Sequence, residues 1–154
     1  MRGFVIAVAL LVAPLALSAP PTAAQIVKYR ESVMEANGGH MAAVAMIVKG
    51  ESDRTADLPA HAAALHDLAG SLDALFPEGS GPGNPAFETE AKAEIWTQKD
   101  KFATAVKTYE TATAKLVDVA KKNDLAAIKA AFGAVGGACG DCHDAFKIDE
   151  EHHD

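Results

Sequence analysis

Cys139-Gly140-Asp141-Cys142-His143 sets two thiols three residues apart, with a histidine directly after them. On a helix that spacing puts both sulfurs on one face. C-x-x-C-H is the attachment pattern of a c-type haem. Each thiol can add to one haem vinyl group to form a thioether, and the imidazole then reaches the iron from beneath the porphyrin. These are the only two cysteines in 154 residues. A disulfide-exchange C-x-x-C belongs near a helix start in an alternating strand–helix chain. A zinc site wants a second ligand pair at similar spacing. The chain offers neither context.

Residues 1–24 read as a secretory signal. Arg2 supplies the positive start, Phe4 to Leu17 is apolar, and Thr22-Ala23-Ala24 offers small residues for cleavage. The mature chain is expected to start at Gln25 and to reside in the periplasm, since c-type haem is attached after export. The apolar run is short for a membrane span and is interrupted by Pro14 and Pro20. No other stretch is read as a span. The formal net charge is −7, and losing Arg2 makes it −8. That acidity disfavours nucleic acid and anionic membranes and suits a basic redox partner protein. The remaining residues, 25–154, form one domain with one core.

The elements that must position the motif read as helices. Ile26, Tyr29, Arg30, Val33, Met34, Asn37, Met41, Val44, Ala45 and Val48 recur at helical steps until Gly50. Gly38-Gly39 lower helix propensity by about 1 kcal/mol each and are expected to admit a close neighbour, a helix or the haem. Asp57 as N-cap and Pro59 in the first turn open a second stripe from Leu58 to Phe76, stopped by Pro77. Glu78 to Pro85 is the longest loop. A third helix starts at Asn84 or Thr89 and runs its stripe from Ile95 to Ala120, with Trp96 beside it. Asn123-Asp124 turns the chain into a fourth helix. There Leu125, Ile128, Phe132, Val135, Cys139, Cys142 and Phe146 share one face, so both thiols fall on the core stripe. The expected fold is all-α: an antiparallel up-down-up-down four-helix bundle with one covalent haem near the C-terminal end of the fourth helix.

Tyr29-Arg30 followed by Met34, Leu75 to Gly79, Glu88 to Trp96 and Gly136 to Lys147, in this order, resemble the cytochrome c′ family. These are four-helix-bundle class II c-type cytochromes, and the likeness leans to the low-spin cytochrome c-556 type. It covers the whole mature chain. The resemblance implies one haem c bound through Cys139 and Cys142, His143 as proximal iron ligand, and Met34 in the distal position. It also implies a homodimer through the first helix. In the high-spin branch the distal residue is a bulky apolar side chain that leaves the iron open. In the low-spin branch it is a methionine that binds iron.

Met34, Met41, Met46, His40, His61 and His66 are the candidates for the far side of the iron. His143, near the end of the fourth helix, matches the N-terminal half of an antiparallel first helix. Met41 lies about 10 Å further along than Met34, and Met46 further still. Met34 therefore has the right height; the alternative is an ordinary core methionine. Arg30 is expected to face a propionate or the distal pocket, or else solvent. Phe146 is expected against the porphyrin and Lys147 near the haem edge. His40, His61 and His66 read as structural. Only Arg30 and Asn37 are polar near Met34, which leaves acid–base catalysis without its groups, so the protein is not expected to be an enzyme. The expected function is one-electron transfer through His143/Met34-ligated iron. The alternative is a five-coordinate haem protein that binds nitric oxide or carbon monoxide.

Overall fold

Helix α1 (Ala23–Lys49) starts on a capping box in which the Gln25 amide donates to the Thr22 hydroxyl and the Thr22 amide donates to Gln25 Oε1. The computed structural model describes residues 19–148; the apolar run expected to be the core of a leader and the tail with His152-His153 lie outside the described residues. A cut after Ala24 would fall inside the first turn of α1 and remove Thr22. At the other end Gly50 takes the left-handed conformation, φ 77°, and its amide returns to the Ile47 carbonyl.

Helix α2 (Leu58–Ala69) has Pro59 in its first turn, but Asp57 does not cap it. The Asp57 carboxylate is held instead by Arg54, at 2.8 and 3.2 Å. The helix ends before Phe76. Leu72 and Leu75 still reach the core, through a 3₁₀ turn at Asp73–Leu75. A loop then runs to α3 (Glu94–Thr97), a single turn that leads into α4 (Lys99–Ala120). The third helix thus begins later than Asn84 or Thr89. The Thr89 hydroxyl accepts from the Ala91 amide and from Arg30, which commits the segment to a turn. Asn123 takes φ 52°, and the Asp124 carboxylate accepts from the amides of Ala126 and Ala127 to open α5 (Leu125–Phe146).

The four long helices make the bundle, with α4 along α5 and α2, and α1 against α2 and α5. Leu58, Leu65, Leu116, Ile128, Val44 and Val135 are fully buried, each contributing about 1.5–3 kcal/mol. On α5 the buried seam is rotated from the expected stripe: Ala131 and Ala138 are buried, Cys139 and Cys142 flank them, and Leu125 is exposed. Alanines on that seam let α4 approach closely. Their apolarity also makes α5, by length and composition, the one described helix that could cross a bilayer, a feature the sequence reading did not register. In the bundle it sends Ile128, Val135 and Phe146 into the core.

The loop before α3 is built on Trp96. Its indole N–H donates to the carbonyls of Phe76 and Pro77, and its ring lies over Gly81, where a Cβ would stand 2.8 Å from the ring.

Candidate haem site

The last two turns of α5 carry the motif. Cys139 and Cys142 are free, half-buried and packed against the core. Burial pushes both thiols up from their ordinary value, and Cys139 pushes Cys142 further. These are neutral thiols, not the activated thiolates of disulfide exchange. His143 follows at the surface. Partial desolvation lowers its pKa first and the Lys147 charge lowers it further, against Asp144 and Glu90. Both leading effects favour neutral imidazole, the form that ligates metal.

A strap from the α3 side pins this end of α5. The Lys92 amide donates to the Phe146 carbonyl at 2.8 Å and the Ile148 amide to the Glu90 carbonyl at 2.6 Å. Lys92 Nζ donates to the Asp144 carbonyl at 2.9 Å, and Lys147 pairs with Glu90 at 3.0 Å. Glu90 and Lys92 entered the sequence analysis only within the Glu88–Trp96 resemblance, with no role, because they lie more than 50 residues from their partners and carry no periodic signal. Lys147, expected near the haem edge, is tied into this strap beside His143.

A groove of about 230 Å³ opens beside Cys142, between α4 and α5. Ala105, Ala138 and Ala145 line it with short apolar side chains, together with Lys101 and Thr104. Phe146 lines it as well, packed edge-on to Phe102 at 5.3 Å. The donor set, two free thiols on one helix face followed by a neutral imidazole, fits a covalent c-type haem at this end of the bundle.

Met34 is half-buried and packed against the core. Met41 Cε lies 4.0 Å from the Cβ position of Gly136. Since α1 and α5 run antiparallel, seven residues back on one and seven forward on the other bring Met34 level with His143. Met46 is exposed, which removes it as a candidate. No neighbouring helix approaches Gly38 and Gly39: both are exposed with open space where a Cβ would stand, and α1 continues through them.

Arg30 is only 4% exposed, so of its expected settings solvent is the one the structure overturns. Its guanidinium donates to the carbonyls of Leu75 and Ser80 and to the hydroxyls of Ser80 and Thr89, at 2.7 to 3.3 Å. It also lies 4.5 Å over the Phe76 ring. Both hydroxyls and both carbonyls belong to the segment between α2 and α3, which Arg30 ties to α1.

The second polar residue near Met34 is engaged too. The Tyr109 hydroxyl donates to Asn37 Oδ1 at 3.0 Å. Burial raises the Tyr109 pKa, and Cys139 raises it further. A raised folded-state pKa means that this contribution to stability is present below the unfolded value, about 10, and is lost as pH rises past it. Urea unfolding across an alkaline series is expected to show that loss. Tyr109→Phe should flatten it and, by stranding Asn37, cost about 1–3 kcal/mol.

A family model described as Cytochrome C′ matches residues 25–147. The chain is 40% identical over 122 residues to cytochrome c′ of Pararhodospirillum photometricum, covering 79% of this chain and 94% of that protein. It is 34% identical over 145 residues to cytochrome c-556 of Rhodopseudomonas palustris, covering 88% and 93%. Among solved structures it resembles a nitric oxide complex of a variant cytochrome c prime from Alcaligenes xylosoxidans. There the TM-score is 0.77 at 28% identity, over 86% of this chain and 100% of that one.

Proposed function

The chain belongs to the cytochrome c′ family, whose members carry one covalent haem c, and from that premise we propose that it binds nitric oxide or carbon monoxide at a five-coordinate iron. When bound, the haem supplies an iron centre able to take up an electron or a diatomic ligand. Cys139 and Cys142 hold the group, and neutral His143 provides the proximal ligand. Met34 forms an apolar wall on the distal side. Arg30 and Asn37 are committed to the loop and to Tyr109, so neither is available as a distal acid or base. A pocket of that kind rejects polar ligands and admits small gases.

The likeness to a cytochrome c prime solved as a nitric oxide complex, over 86% of this chain, carries this reading. A second reading is one-electron transfer with Met34 as sixth ligand. The level it shares with His143 and the cytochrome c-556 relative favour that one. Visible spectra of oxidised and reduced protein distinguish the two. The gas binder is expected to show broad high-spin bands, to take up carbon monoxide when reduced, and to be spectrally unchanged in Met34→Leu. A methionine–iron charge-transfer band that vanishes in Met34→Leu would establish the carrier instead.

The leader over 1–24 supports a periplasmic setting, to be tested by N-terminal sequencing of exported protein. Tyr29, 62% exposed on α1, supports a homodimer through that helix. A redox partner with a basic surface would suit the net charge of −7.

A further inference from the structure

Away from the haem site, two histidines from different helices meet head on. His40 on α1 and His61 on α2 bring their Nδ1 atoms to 3.0 Å. The ring centroids are 5.3 Å apart and the planes tilted by 58°. With those two distances, the Nδ1···Nδ1 line runs nearly through both ring centres, so both nitrogens aim at one point between the helices. In the neutral pair a single N–H occupies that point, donated by one ring to the lone pair of the other. Both rings are half-buried, and Gly39 beside His40 is exposed, with open space in place of a side chain. Solvent ions therefore reach the pair.

We propose that His40 and His61 form a two-imidazole site for a divalent cation of the zinc or copper type, bridging α1 and α2 separately from the haem. Imidazole nitrogen suits these cations. With metal–nitrogen bonds of about 2.0 Å in tetrahedral geometry the two nitrogens need only separate to about 3.3 Å. On binding, the shared proton moves by exchange with solvent to Nε2 of the ring that carried it, so both imidazoles stay neutral, and the rings tilt so that both Nδ1 lone pairs meet the cation about 1 Å off the line between them. Among the described residues no cluster of three or more His, Cys, Asp or Glu side chains is available, so water completes the coordination. The net charge of −7 favours a cation at this surface.

The test uses haem-loaded protein with His152→Ala and His153→Ala, so that the tail contributes no ligand. Zn²⁺ titration by calorimetry is expected to give one equivalent per chain and to raise the melting temperature. Cu²⁺ electron paramagnetic resonance is expected to show hyperfine coupling from two nitrogens. His40→Gln and His61→Gln should each weaken binding at least about 10–100-fold, the cost of losing even a supporting partner. Each should also abolish the thermal shift while leaving the haem spectrum unchanged. Absence of binding in the parent, or undiminished binding in both variants, would overturn the proposal. If a variant fails to fold, the nitrogen count in the parent decides alone.

Discussion

Replacing Cys139 and Cys142 together by serine is expected to abolish covalent haem. After acid–organic extraction the double variant should lose all haem to the solvent phase, and its polypeptide mass should lack the haem increment. Serine keeps the size of the side chain and removes the sulfur that forms the thioether. The two thiols share one half-buried face of α5, so each serves one end of the same group. Each single variant therefore keeps one bond and stays coloured through extraction. His143 is untouched in all three, which separates attachment from ligation: haem still carried by the double variant should be extractable. Haem that resists extraction from the double variant would sink the assignment of both cysteines.

Arg30→Met is expected to lower stability by about 3–5 kcal/mol, because several buried neutral acceptors lose their donor at about 1–3 kcal/mol each, less the cost of burying the guanidinium. Methionine retains the apolar stem but donates nothing. The carbonyls of Leu75 and Ser80 and the hydroxyls of Ser80 and Thr89 then lose their donor. Ser80 is fully buried, so water cannot easily replace the guanidinium there. Thermal unfolding followed by circular dichroism should show a fall of roughly 10–20 °C for a domain of this size. Arg30→Lys should rescue little, because a point charge cannot serve four acceptors laid out for a planar fork. A loss below about 1 kcal/mol would refute the clamp. The haem spectrum at low temperature should hardly change, whereas a propionate-binding arginine would shift it.

The helices were legible wherever the signal is local. Asp124, Leu125 and Phe146 mark α5 as the sequence suggested, because an N-cap and a repeat of three and four act within a few residues. Gly50 ends α1 for the same reason. The loop from Glu78 to Pro85 was legible, but its flanks, Gly70 to Phe76 and Ala86 to Ala93, were not. Their apolar residues keep helical spacing, but backbone carbonyls from Leu75 to Ser80 serve Arg30 and Trp96, which lie outside the loop and its flanks. The place of Arg30 one turn from Met34 follows from the sequence, but its acceptors, 45 to 59 residues away, do not.

The sequence by itself determined the covalent chemistry and the bundle. Thioether attachment depends on two thiols and an imidazole within five consecutive residues, and helix periodicity is a property of neighbouring positions. Cys139–His143 could therefore be read as an attachment motif without knowing what lies around it. Tertiary structure alone decided what those residues are held by. The Glu90–Lys92 strap on the end of α5, the Arg30 clamp, the Tyr109–Asn37 bond and the meeting of His40 with His61 each join residues far apart in the chain. Such pairs leave no periodic trace, because which polar groups meet depends on how the helices dock, and burial then requires that each find a partner.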